Sequence, residues 1–230
     1  MDEYAAVWER FAAERRLEFG GHRDPNWRGG HALSASFIVP VQTAQFRDRL
    51  ERLRNALRPF PFVSLHPDNF MHITLLLLGF LAPKPEERGE ISPERLEQIE
   101  LATRRVLEGF PAFPAELANL NAFPGAVFVE VHDRGMLKDL RSAICAGCQL
   151  EEPSGPPHLT LAYFQVPDGT PTPEALISTI ERYRDWFLGE IQVDRVRLTL
   201  LELRSEYPDP ETLAEIPLSG ERASSANSSA

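Results

Sequence analysis

The sequence predicts an α+β fold of two pseudo-symmetric lobes, each a small sheet with helices outside it, facing one another across a central cleft. Three observations predict it. Strand-like and helix-like stretches follow one another in the same order in the two halves of the chain. A Ser/Thr-Pro-Glu helix opening stands at Ser92-Pro93-Glu94 and again at Thr172-Pro173-Glu174. A strand of the form His-apolar-Thr-Leu stands at His72-Ile73-Thr74-Leu75 and again at His158-Leu159-Thr160-Leu161. The offsets are 80 residues for the helix openings and 86 for the strands, as a duplicated strand-helix-strand-helix unit would leave after its loops had changed.

Element by element, Glu3 to Arg16 carries Tyr4, Val7, Trp8 and Phe11 at helical spacing, which predicts a short amphipathic helix. Phe19-Gly20-Gly21 ends it, and His22 to Gly30 reads as a loop, so residues 1–30 form an N-terminal extension. Ser34 to Val41 is strand-like, and Gln45 to Leu57 places Phe46, Leu50, Leu53 and Leu57 on one helical stripe. A strand follows from Met71 to Leu78. Ser92 then supplies an N-cap hydroxyl, Pro93 a fixed φ at N1 and Glu94 a negative charge toward the helix dipole, opening a helix to about Gly109.

In the second half, Ala126 to Val131 is a strand, Met136 to about Ala146 a helix with Leu137, Leu140 and Ile144 on one side, and His158 to Phe164 a strand. The helix capped at Thr172 has Leu176, Ile177, Ile180, Tyr183 and Phe187 for its apolar face. Further strands are expected around Ala115 to Leu120 and Gln192 to Leu203, with an edge strand from Leu213 to Leu218. Residues 31–220 are thus one bilobal domain. Residues 221–230 are small and polar with nothing to bury, and read as a disordered tail.

Composition limits the function. With 43% hydrophobic and 25% charged residues over 230, the chain buries a sizeable core and is neither disordered nor fibrous. The net charge of −10 repels long polyanions, so no extended duplex nucleic acid is expected as a partner. The longest largely apolar stretch, Ile73 to Ala82, is closed by Pro83 and is far shorter than the roughly 20 residues that span a bilayer. Met1-Asp2-Glu3 does not begin a secretory signal, so no membrane partner and a cytoplasmic location are expected. Cys145 and Cys148 lack both a strand-to-helix redox setting and further metal-spaced ligands, and read as ordinary, partly buried thiols.

The repeated His-x-Thr strands carry the chemistry. Successive side chains of a strand alternate faces, so His72 and Thr74 share one face and His158 and Thr160 share one face. If the strands are pseudo-dyad mates, two imidazoles and two hydroxyls converge on one cleft. Imidazole holds or releases a proton near neutrality, so one ring suits the attacking oxygen and the other the leaving oxygen of a phosphodiester. Threonine hydroxyls can donate to the non-bridging oxygens. Two acid/base groups predict a bell-shaped pH–rate profile with both limbs near the imidazole range. No His-x-His, His-Glu-x-x-His or Asp-rich triad accompanies the pair, so no metal or other cofactor is expected. His22, His31, His66 and His132 lack this context and read as solvated or satisfied polar residues.

These motifs resemble those of the 2H phosphoesterase superfamily, and within it the bacterial 2′-5′ RNA ligase-like or cyclic phosphodiesterase group. His72-Ile73-Thr74-Leu75 followed by Leu78-Gly79 is similar to the first family motif, and Pro157-His158-Leu159-Thr160-Leu161-Ala162 to the second. Ala122-Phe123-Pro124-Gly125 is similar to the central segment. The resemblance implies a metal-independent phosphodiesterase acting on 2′,3′-cyclic phosphates or 2′,5′-linked nucleotides. His72 and His158 would be the acid/base pair, in an order the sequence leaves open, with Thr74 and Thr160 as phosphate donors. Implied partners are a nucleotide, an RNA 2′,3′-cyclic phosphate end or a 2′,5′-linked oligonucleotide; separately from the resemblance, a monomer is expected. The alternatives are a non-catalytic nucleotide or RNA-end sensor, and RNA ligation by reversal of the same chemistry. Where many RNA-acting members carry an Arg after the second motif, this chain has Tyr163, either a base-binding ring favouring a small or terminal nucleotide or a wall of the cleft. The N-terminal segment with Trp27 and Arg28 is either a lid on the cleft or a cover for a sheet edge.

Overall fold

The computed structural model describes residues 3–220; the tail expected over 221–230 lies outside the described residues. The chain runs α1 (Glu3–Glu14), β1 (Arg16–Leu17), α2 (Pro25–Arg28), β2 (Leu33–Pro40), α3 (Arg47–Leu57), β3 (Val63–Leu65), β4 (His72–Leu81), β5 (Glu90–Ile91) and α4 (Pro93–Leu107). It continues with β6 (Phe113–Phe123), β7 (Ala126–His132), α5 (Met136–Cys148), β8 (His158–Phe164), β9 (Thr170–Pro171), α6 (Glu174–Arg182), β10 (Phe187–Val193), β11 (Arg195–Glu202) and β12 (Glu211–Pro217).

The α+β class and the two-lobe arrangement are as expected, but the two small sheets are one. Ten strands form a continuous sheet in the order β10-β6-β7-β8-β4-β2-β11-β12, with β3 added to β8 and β5 to β4. The lobes join where β4 and β8 pair antiparallel, Ile73 across from Leu159. Both residues are fully buried, so the core runs through the junction, and pairing removes two unsatisfied strand edges that separate sheets would have left inside the molecule.

Topology also dictates the curvature. β10 and β11 are linked by Asp194 alone, yet stand near opposite ends of the strand order. Six strand spacings on a flat sheet amount to about 29 Å, which one linking residue cannot span. The sheet therefore curls into a half-barrel until its two ends approach. This is also why the single strand expected over Gln192–Leu203 is two: the chain changes lobe at Asp194.

Helices cover the lobes in pairs. α4 and α5 pack on each other and against β12 and β4, while α3 and α6 meet each other and β3 and β6. Leu137, Leu140 and Ile144, the predicted stripe of α5, are fully buried, each stabilising by about 1.5–3 kcal/mol. Cys145 and Cys148 sit buried and unbonded to one another on the same helix, and burial raises the Cys145 thiol.

The two helix openings differ. Ser92 Oγ accepts from Arg95 N at 3.2 Å as predicted, but α6 starts after Pro173 with no side-chain cap. Thr172 instead donates its backbone N–H to Arg15 O at 3.0 Å, continuing the β1–β9 pairing, and its hydroxyl is buried without a partner. Phe187, expected on the helix, opens β10, because the helix stops at Arg182.

Candidate active site

The register at the lobe junction assembles the site. With Ile73 across from Leu159 and buried, the residues on either side of each project to the opposite, cleft face of the sheet. His72, Thr74, His158 and Thr160 thus share one face. In the antiparallel register His72 falls across from Thr160 and Thr74 across from His158, and the two imidazoles lie on the diagonal, where Cβ atoms are about 7–8 Å apart. Thr74 is exposed and the other three are partly open.

Each ring is oriented by the backbone two residues upstream. His158 Nδ1 lies 3.0 Å from Pro156 O; a carbonyl only accepts, so Nδ1 carries the proton and Nε2 is the free nitrogen of the neutral ring. The Phe70 carbonyl plays the same part for His72. Burial is the main cause that lowers both rings, taking His72 to about 4, with the Phe70 carbonyl opposing it and His158 and His22 adding to it. For His158 burial is countered by Pro156 O and reinforced by the Arg141 charge.

The two histidines open onto different cavities. That of His72, about 410 Å³, also presents Thr74, Ser36, Leu77 and the rings of Phe19, His22, Trp27, Phe70, Phe123 and Tyr163. That of His158, about 610 Å³, lies between α1, the Ser154–Pro156 loop and Phe123. Phe123 lines both, its ring 4.9 Å from that of His158 and stacked at 4.3 Å on Phe128.

The N-terminal segment proves to be part of the cleft. Glu18 N donates to Pro124 O and Gly20 N to Phe164 O, both at 2.8 Å, laying Phe19 to Trp27 along the cavity wall. The Gly20 position tolerates no side chain, since a Cβ there would stand 1.8 Å from Gly125 O. Trp27 packs edge-on against Phe80 at 4.9 Å. The stretch expected as a loop contains α2, capped by the Asp24 carboxylate accepting from Asn26 N. α1 covers the His158 face of the second lobe: Asn121 Nδ2 donates to Tyr4 O at 3.0 Å, and the Tyr4 hydroxyl lies 2.5 Å from the carbonyl of Pro157, next to His158.

Two of the histidines read as solvated or satisfied are buried and only partly satisfied: His22 Nε2 lies 2.8 Å from Ser205 O, while its Nδ1 has no partner. His22 and His66 are buried, and neither ring nitrogen of His66 makes a well-formed hydrogen bond, the Thr160 carbonyl being the backbone acceptor near it. They form a ring cluster with Phe70, Tyr163 and Tyr207; His66 is 4.5 Å from Tyr163 and 5.0 Å from Phe70. Burial lowers both rings. Tyr163 is thereby a wall of the His72 cavity, its hydroxyl pushed up by burial and then by Tyr207. No local pattern marks His22, His66 or Phe70; His66 and Phe70 meet within one segment, and the fold brings His22 and Tyr163 to them. Among the described residues, one trio brings metal-ligating atoms within 4.8 Å: His31, Glu87 and Glu90. None of the three lines the cavities of the histidine pair, and His31 Nε2 lies 2.8 Å from Glu90 Oε1, which raises the imidazole.

A family model described as the 2′-5′ RNA ligase superfamily matches residues 39–203, a span that holds both His-x-Thr strands. The chain belongs to the 2′-5′ RNA ligase superfamily. As a member it shares the 2H phosphoesterase fold with solved structures. TT0787 of Thermus thermophilus is 21% identical with a TM-score of 0.61, covering 82% of this chain and 100% of that one. A phosphoesterase is 16% identical, TM-score 0.57, over 80% and 98%. E. coli LigT complexed with 3′-AMP is 17% identical, TM-score 0.55, over 81% and 98%. No curated protein matches. The superfamily match begins within β2, so α1 and the Phe19–Trp27 segment lie outside the matched region. No helix among the described residues is long and apolar enough to cross a membrane.

Proposed function

We propose that this superfamily member is a phosphodiesterase that opens nucleotide 2′,3′-cyclic phosphates or cleaves 2′,5′-phosphodiesters with His72 and His158. The observation that carries the reading is the pairing of Ile73 with Leu159, which turns two distant His-x-Thr strands into a square of alternating imidazoles and hydroxyls on one sheet face. A tetrahedral phosphate seated over that square meets a hydroxyl donor and an imidazole on each side.

His72, held at about 4, is neutral at neutral pH and acts as the base. It takes a proton from water as the water oxygen bonds to phosphorus; the bond to one ester oxygen breaks and that oxygen takes a proton from His158. The His158 proton requires an anion beside the ring, which the phosphate supplies. Thr74 and Thr160 donate to the non-bridging oxygens as charge builds there. Both proton transfers are carried by side chains, so the scheme requires no metal. LigT is described in complex with 3′-AMP, and a nucleoside monophosphate is the product this scheme yields from a cyclic nucleotide.

The test is hydrolysis of a panel of nucleoside 2′,3′-cyclic phosphates and 2′,5′-dinucleotides in excess EDTA. His72→Ala and His158→Ala are each expected to lower kcat by about 10²–10⁴-fold, with Thr160→Val intermediate. Undiminished turnover in both histidine variants rejects the site, and nucleotide binding without turnover by the wild type favours a sensor.

A further inference from the structure

We infer that the cavity beside His158 is an anion subsite, with Arg10 of α1 as its cation, for a second phosphate carried by the same nucleotide as the reacting one. The inference rests on the function proposed above, and makes a nucleotide at an RNA end, which bears a 5′-phosphate as well as the cyclic one, a better ligand than a mononucleoside cyclic phosphate.

The cavity contains His158 and is walled by Arg10, Val7, Glu14 and the Ser154-Gly155-Pro156 loop. The exposed guanidinium of Arg10 has no ion pair or hydrogen bond among the described residues, in a chain whose net charge is −10. Of the two carboxylates on the wall, Glu3 is taken by Lys138 at 2.5 Å, which leaves Glu14 alone to oppose an anion.

A second cation lies behind the loop. Arg141 is 5% exposed, donates Nη2 to Gly155 O at 3.0 Å and keeps a buried Nε with no hydrogen-bond partner; its nearest carboxylate oxygen, on Glu152, is 3.9 Å away. Its charge reaches His158. An exposed, unpaired guanidinium on the wall and a buried, incompletely paired one behind the loop are the cations this side of the cleft can turn toward an anion, against the single free carboxylate of Glu14. The aromatic lining of the His72 cavity offers the complementary site for a base. A nucleotide with its base there and its reacting phosphate over the His-Thr square directs its remaining phosphate toward the other cavity.

Calorimetric titration with a nucleoside 3′-monophosphate and the matching 3′,5′-bisphosphate tests this without requiring turnover. The wild type is expected to bind the bisphosphate about tenfold more tightly, the worth of one charge-assisted contact. Arg10→Gln is expected to bring the ratio near one and Glu14→Gln to increase it, opposite changes that general loosening of α1 would not produce. Equal affinities in the wild type, or a ratio that Arg10→Gln leaves in place, overturn the subsite. If the ratio behaves as expected but no cyclic or 2′,5′ substrate is turned over, the subsite stands and the catalytic reading falls.

Discussion

His72 departs from the unperturbed imidazole because burial disfavours its charged form and two neighbouring rings add to the effect. The bell-shaped profile expected from two ordinary imidazoles is therefore displaced on its acid side. In the free enzyme His72 stays neutral down to about pH 4, so kcat/KM, measured while circular dichroism shows the chain folded, is expected to show its acid limb near 4. An acid limb at the ordinary value near 6.5 overturns His72 as the base. The histidine motifs themselves were legible in the sequence because strand alternation alone puts His and Thr on one face. The lowered basicity was not, since it comes first from burial in the folded cleft and then from His158 and His22, which other elements bring to the ring.

Among the elements, the two helix openings that look alike in sequence behave differently, and this can be measured. Ser92→Ala removes an N-cap acceptor and is expected to lower stability by about 1 kcal/mol in urea denaturation. Thr172→Val removes only a buried hydroxyl that has no partner, and is expected to be neutral or stabilising. Equal losses in the two variants would show that Thr172 caps its helix after all. α1 was legible from the Tyr4, Val7, Trp8 and Phe11 spacing, but not where it packs. Its location depends on Asn121, Glu130 and Arg184: Arg184 Nη1 donates to Glu130 at 2.6 Å, and its guanidinium lies over Trp8 at 5.3 Å.

At the scale of the molecule, four histidines, His22, His66, His72 and His158, are all lowered mainly by burial. The unfolded chain takes up their protons near pH 6.5, the folded one only at lower pH, so between those values the unfolded state binds more protons and stability falls as pH falls. The contribution is intact above about 6.5 and diminishes toward about 4, the His72 value. The unfolding free energy from urea titrations is expected to drop from pH 7 to pH 5, by about 1–2 kcal/mol per fully protected ring. His66→Leu, which removes a ring that burial holds well below its ordinary basicity, is expected to reduce that drop. An identical pH dependence in wild type and variant would exclude His66 from it.

Local order in the chain was enough to determine the α+β class, the internal repeat, the helix faces and the four residues of the His-Thr square, because periodicity and strand alternation act over a few neighbours. Tertiary structure decided the rest. One sheet in place of two, the curl forced by the Asp194 link, the buried ring cluster around Tyr163 and the placing of Arg10 beside His158 all depend on contacts between residues distant in the chain, such as Ile73 with Leu159 and His66 with Tyr163. No local pattern encodes such contacts, since they follow from which apolar faces find one another when the whole chain closes.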